Sequence, residues 1–106
     1  MQVELTKDSE KFLVDLYKVY LDRRKACQSK QEARRFEDGF FDTEKPFSKM
    51  HPNDVTDARL ELGQTGLLVN YIGGDCELTN PAIIYLENRF KNNLADVLSF
   101  LSQFVP

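Results

Sequence analysis

The residues best equipped for chemistry in this 106-residue chain are Cys27, Cys76 and its one histidine, His51. Their spacing suits neither a metal nor a catalytic group. A zinc site draws on clustered Cys and His pairs, and the two cysteines and one histidine here are isolated from one another. A nucleophile needs a base within reach and a third group to orient that base, and no such set surrounds His51 beside Pro52. Gly73-Gly74 lacks the glycine spacing and the Lys-Ser/Thr of a phosphate-binding loop, so it is expected to be a turn. The expectation is a non-enzymatic chain with no catalytic residue, no metal and no cofactor.

Charge is more informative. The formal net charge is −3, which does not suit wholesale nucleic-acid binding, because that requires a cationic surface able to displace counterions from phosphates. The charge is unevenly spread: residues 18–35 hold seven Lys or Arg against Asp22 and Glu32, giving +5, and the remainder carries −8. If nucleic acid is bound, the candidates are Arg23, Arg24 and Lys25, with Lys30, Arg34 and Arg35 on the next helix. The other reading of the same residues is a solvated face whose cations complement a helix dipole. Two cysteines, no apolar run near the ~18 residues that span a bilayer, and no basic-then-apolar start at Met1–Leu5 lead to the expectation of reduced thiols, a cytoplasmic setting and no membrane contact.

The elements that must carry these residues follow from periodicity and capping. Thr6 is expected to cap a first helix whose Phe12, Leu13, Leu16, Tyr17 and Tyr20 form one face to about Ala26, with Lys11, Asp15, Lys18 and Asp22 opposite. Ser29-Lys30-Gln31-Glu32 is a capping-box pattern opening a second helix, with Ala33, Phe36 and Phe40 facing inward. Gly39 and the stretch to Pro46 end it, and a loop runs to about His51. Pro52 then starts a third helix at 52–64. Leu67–Ile72 and Cys76–Thr79 flank the Gly73-Gly74-Asp75 turn as a two-stranded hairpin. Asn80 is expected to cap a helix with Pro81 first in it, and the stripe Ile83, Leu86, Phe90, Leu94, Val97, Leu98, Leu101 and Phe104 runs on through Asn92-Asn93, as one helix or two. The candidate core is Phe12, Leu16, Tyr20, Phe36, Val55, Leu62, Leu68, Ile83, Leu86 and Phe90.

This mainly α order, three helices, a two-stranded wing and a long C-terminal helix, resembles the winged-helix superfamily. The features that carry the resemblance are Leu62, Gly66-Leu67-Leu68 leading into the wing, and Leu78-Thr79 opening the next helix. More particularly, Tyr17 to Phe36 and Tyr85-Leu86-Glu87-Asn88-Arg89-Phe90-Lys91 are similar to small uncharacterised winged-helix-like proteins of Gram-positive bacteria and their prophages, the YjcQ-like group. The resemblance implies a fold and a setting, and fold alone licenses no function. DNA-binding members bring Arg, Lys, Asn and Gln on the third helix to base edges. Here that helix carries Asp54, Asp57 and Glu61 against Arg59, and the wing tip is not basic.

The reading is one domain over 1–106, with 93–106 a candidate dimerisation extension bearing Leu94, Val97, Leu98, Leu101 and Phe104. That stripe is expected either to pack on the first helix or to meet a second copy in a homodimer. The leading function is a self-associating, non-catalytic module that binds a protein partner. The alternative is a small transcription-associated DNA binder using residues 18–35.

Overall fold

The computed structural model describes residues 4–91 and 93–104. Helix α1 (Lys7–Lys25) starts where Thr6 Oγ1 accepts from the Ser9 amide at 3.3 Å, with Asp8 and Glu10 at its positive end. It is the element around which the others are arranged, touching α2 (Lys30–Ala33), α4 (Pro52–Gln64), α5 (Asn80–Phe90) and α6 (Leu94–Ser102). Being enclosed, it buries every residue from Phe12 to Tyr17, not the single stripe that its periodicity predicts. Asp15, expected on the polar face, is 5% exposed and is held by Lys11 Nζ at 2.7 Å. Burial raises its pKa although the Lys11 ammonium pulls the other way.

The Ser29 capping box forms in full: Ser29 Oγ accepts from the Glu32 amide at 3.1 Å and the Glu32 carboxylate accepts from the Ser29 amide at 3.2 Å. The helix nevertheless ends after Ala33. Arg35–Phe36 turn extended as β1, and Arg34 O accepts from the Leu78 amide at 2.9 Å. The expected long second helix is thus corrected to one turn and a short strand. The competing attraction is the sheet, which lets Phe36 enter the core at 0% exposure while Arg35 faces out. A separate turn of helix, α3 (Phe40–Thr43), follows Gly39, whose φ of +91° suits glycine, and a 3₁₀ turn spans Phe47–Lys49.

Helix α4 occupies the 52–64 span that its proline start and the helical spacing of Val55, Ala58 and Leu62 predict. Its N-cap is His51, whose Nδ1 accepts from the Asn53 amide at 3.1 Å, so the lone histidine has a structural post. The hairpin is β2 (Leu68–Asn70) and β3 (Cys76–Leu78), antiparallel with Val69 opposite Glu77. Because β1 pairs with the other side of β3, the sheet has three strands in the order β1-β3-β2 and not the expected two.

One further expectation is corrected, and the open choice between one C-terminal helix and two is decided. Thr79, not Asn80, caps α5: its Oγ1 accepts from the Ala82 amide at 3.2 Å and donates to Gly66 O at 2.7 Å, a second bond that Asn80 cannot offer from the next position. The C-terminal stripe is divided between two helices. Lys91 ends α5 in the left-handed region at φ +51°, and Asn93 Oδ1 opens α6 by accepting from the amides of Ala95 and Asp96. Asn92, Val105 and Pro106 lie outside the described residues.

The core is one cluster of side chains in which Phe12, Phe36, Phe41 and Phe47 are buried and Phe40 is packed against them. Ring centroids lie 5.2 Å apart for Phe12 and Phe47 and 5.3 Å for Phe41 and Phe47, both edge-on, a favoured aromatic geometry. Nine of the ten expected core residues are buried, and the tenth, Val55, is half-buried.

Candidate interaction surface

The six basic residues singled out in the sequence do not form one cationic face. Arg23 lies across the aromatic cluster, 4.9 Å from the Phe36 centroid and 5.2 Å from that of Phe40, and donates from Nη1 to Arg35 O at 2.6 Å. Burial lowers its pKa, while the carboxylates of Glu37 and Glu44 act in the opposite direction. Arg24 reaches back to Gln28 O at 3.1 Å, closing the end of α1. Arg34 bridges Leu78 O and Asn80 Oδ1, each at 2.8 Å, with Glu77 Oε2 at 3.2 Å. Arg35 pairs with Asp75 at 3.0 Å on the outer sheet face and stacks over Tyr71 at 4.7 Å. Only Lys25 and Lys30 extend into solvent with no side-chain hydrogen bond or ion pair among the described residues. Together with Arg24 they edge a shallow cleft that also includes Tyr20, Leu21 and Glu87.

Asp75 is a structural node that its sequence context does not advertise. Its Oδ1 accepts from the Asp38 amide at 2.9 Å and its Oδ2 from Arg35, and these bonds, that from the Asp38 amide foremost, hold its pKa below the ordinary carboxylate value. It thereby ties the hairpin turn to the chain ahead of α3. A depression of about 700 Å³ lies alongside, lined by Arg23 and Arg35 together with Glu32, Glu37 and Asp38, with Phe40 among them. Mixed charge of this kind does not favour a polyanion.

Helix α4 is unlike a groove-reading helix. Pro52, Asn53, Asp54, Thr56, Asp57, Leu60 and Gln64 are its exposed residues. Its one cation, Arg59, is turned inward, donating to Asn70 Oδ1 at 3.1 Å and to Gly74 O at 2.9 Å. Glu61 accepts from the Thr6 amide and hydroxyl and so fixes the start of α1. Beside α4 runs a smaller groove of about 240 Å³, lined by Phe41, Phe47, Met50 and Val55 together with Asp38, Asp42 and Arg59. Sequence reasoning passes over it because its lining comes from three separate elements.

The five residues proposed for dimerisation divide by environment. Val97 is fully buried in its own chain, so it is unavailable to a partner and its assignment is corrected. Leu94, Leu101 and Phe104 are half-buried, and Leu98 is the one that is well exposed, at 45%. Phe100 packs edge-on against Phe90 at 5.9 Å and lies under Arg89, which also pairs with Glu10 of α1. The expected packing of the stripe on the first helix is what α6 makes.

Cys27 is exposed and Cys76 is fully buried, both unpaired. Burial pushes the Cys76 thiol up to about 11. A thiol reagent at pH 8 is therefore expected to modify Cys27 alone in the native protein and both cysteines in denaturant, read as mass added to the intact chain. Rapid native labelling of Cys76 would contradict this placement. Among the described residues no group of three or more His, Cys, Asp or Glu could hold a metal ion, and no helix is long and apolar enough to cross a membrane. In comparison with known proteins, no family model, no curated protein and no solved structure matches this chain.

Proposed function

We propose that this chain is a non-catalytic, cytoplasmic interaction module of winged-helix type that binds another protein. The fold part of the reading is supported by topology: α4 leads into the β2–β3 hairpin, the hairpin leads into the proline-started α5, and β1 is added on the other side of β3. The setting is supported by two unpaired cysteines.

The observation that carries the functional part is where the charges go. Four of the six candidate nucleic-acid contacts are bonded to the protein's own carbonyls or carboxylates, while the helix that would enter a major groove presents Asp54 and Asp57. Moving those carboxylates towards phosphates is repulsive, and freeing Arg34 would take from Leu78 O its side-chain donor and from Glu77 the nearer of its two arginines. Along the α6 stripe the surface left for self-association is the neighbourhood of Leu98, since the rest of the stripe is wholly or half covered within its own chain.

Fluorescence anisotropy with a duplex DNA at low salt tests the reading. No saturable binding tighter than ~100 μM is expected, a level at the weak end of ordinary non-specific association. Arg34→Glu with Arg35→Glu is expected instead to lower thermal stability. Submicromolar, salt-dependent binding that Lys25→Glu with Lys30→Glu abolishes would replace this reading with DNA binding through the α1–α2 edge.

A further inference from the structure

We infer that the groove between α3 and the start of α4 is the docking site for a cationic segment of a partner protein that carries an apolar anchor between its Lys or Arg residues. The inference deepens the protein-binding reading and rests on it. The groove has the two properties that such a segment matches.

Part of its lining is apolar. Met50, Pro52 and Val55 leave surface open to a ligand, backed by Phe41 and Phe47, which are almost wholly buried and locked by mutual edge-on packing and by Phe12. Methionine adapts its shape to an inserted side chain at small cost. A volume of about 240 Å³ suits one leucine- or phenylalanine-sized group and not a folded surface.

Its surroundings are acidic. Residues 37–61, which build α3, the 3₁₀ turn and α4, hold seven carboxylates against Lys45, Lys49 and Arg59. Asp38 and Asp42 stand at the groove itself, and Asp42 is exposed with its side chain unpaired among the described residues. Arg59, the one cation in the lining, keeps its charge but is held by Asn70 and Gly74 O and lies over Phe41 at 5.2 Å, and the two carboxylates outnumber it. A partner bearing positive charge on both sides of its anchor gains attraction to this field and speeds its encounter, whereas an anionic one is repelled.

The test uses ¹⁵N-labelled full-length protein and three synthetic peptides with one central Leu-Phe and flanks of Lys, Gln or Glu, together with a short DNA duplex. The Lys-flanked peptide is expected to shift the amides of Phe41, Asp42, Met50 and Val55 saturably. Its affinity is expected to fall about fivefold or more in Asp42→Lys with Ser48→Lys, two exposed positions whose replacement leaves the dispersed spectrum intact. The Gln peptide should bind more weakly and the Glu peptide not at all. Lack of binding by the Lys peptide, equal binding by the Glu peptide, or shifts confined to another face would overturn the groove assignment and leave the wider reading standing. Saturable shifts of α4 amides by the duplex would instead remove both.

Discussion

Phe36→Ala is expected to destabilise the protein by about 3–5 kcal/mol, the usual cost of deleting a large aromatic side chain from a packed core. Phe36 is fully buried although it belongs to a strand of only two residues, so β1 is held by this ring more than by its short ladder with β3. The ring lies 5.3 Å from Phe40 and 6.3 Å from Phe41, and the Arg23 guanidinium covers it. Truncation leaves a cavity beneath a cation already partly withdrawn from water, and neither can relax without moving the end of α1. Against a total of roughly 5–15 kcal/mol for a natural domain, the loss is severe. Urea denaturation gives the number, with Phe36→Leu as the milder control at less than about 1.5 kcal/mol. A change below about 1 kcal/mol for the alanine variant would mean that β1 is not anchored through this residue.

The same residue marks where sequence reasoning runs out. The capping box at Ser29 is a local signal and forms as its residues dictate, but it fixes where a helix begins and not how far it runs. Its length is decided by Cys76 and Leu78, distant in sequence, which offer β1 a partner. Where local and tertiary preferences agree, as in α4 with Pro52 at its head and Leu62 inward, the element is legible to its ends. The cap of α5 is a subtler case. Thr79 and Asn80 are both good capping residues, and only the closeness of Gly66 O, set by the fold, selects Thr79.

The candidate sites were legible in composition and hidden in use. Arg23, Arg34 and Arg35 read as a basic run because a sequence displays charge and not the carbonyls and carboxylates that the fold brings to it. Arg34 meets Leu78 O across the sheet and Arg35 meets Asp75 at the hairpin turn. Guanidinium suits such duties, since its fork of donors satisfies several acceptors at once. The groove beside α4 was invisible for a related reason: Phe41, Phe47 and Val55 come from three elements, and nothing local in the sequence places them side by side.

Val97→Asp is the second change of large expected effect, about 3 kcal/mol or more, and it decides to whom α6 belongs. Val97 has no exposed surface, and α6 packs on α1 of the same chain, so an aspartate there is buried without a partner or must pull the helix away. Phe100 would then lose Phe90, and Arg89 would lose the ring it covers. The loss should be the same at every protein concentration, because no second copy is involved. Leu98→Asp, one position on and 45% exposed, should change stability by less than about 0.5 kcal/mol and leave sedimentation unaltered. If α6 served a second copy instead, the pattern would invert. Val97→Asp would then leave the monomer intact and dissolve a dimer, and the stability of the parent protein would rise with its concentration.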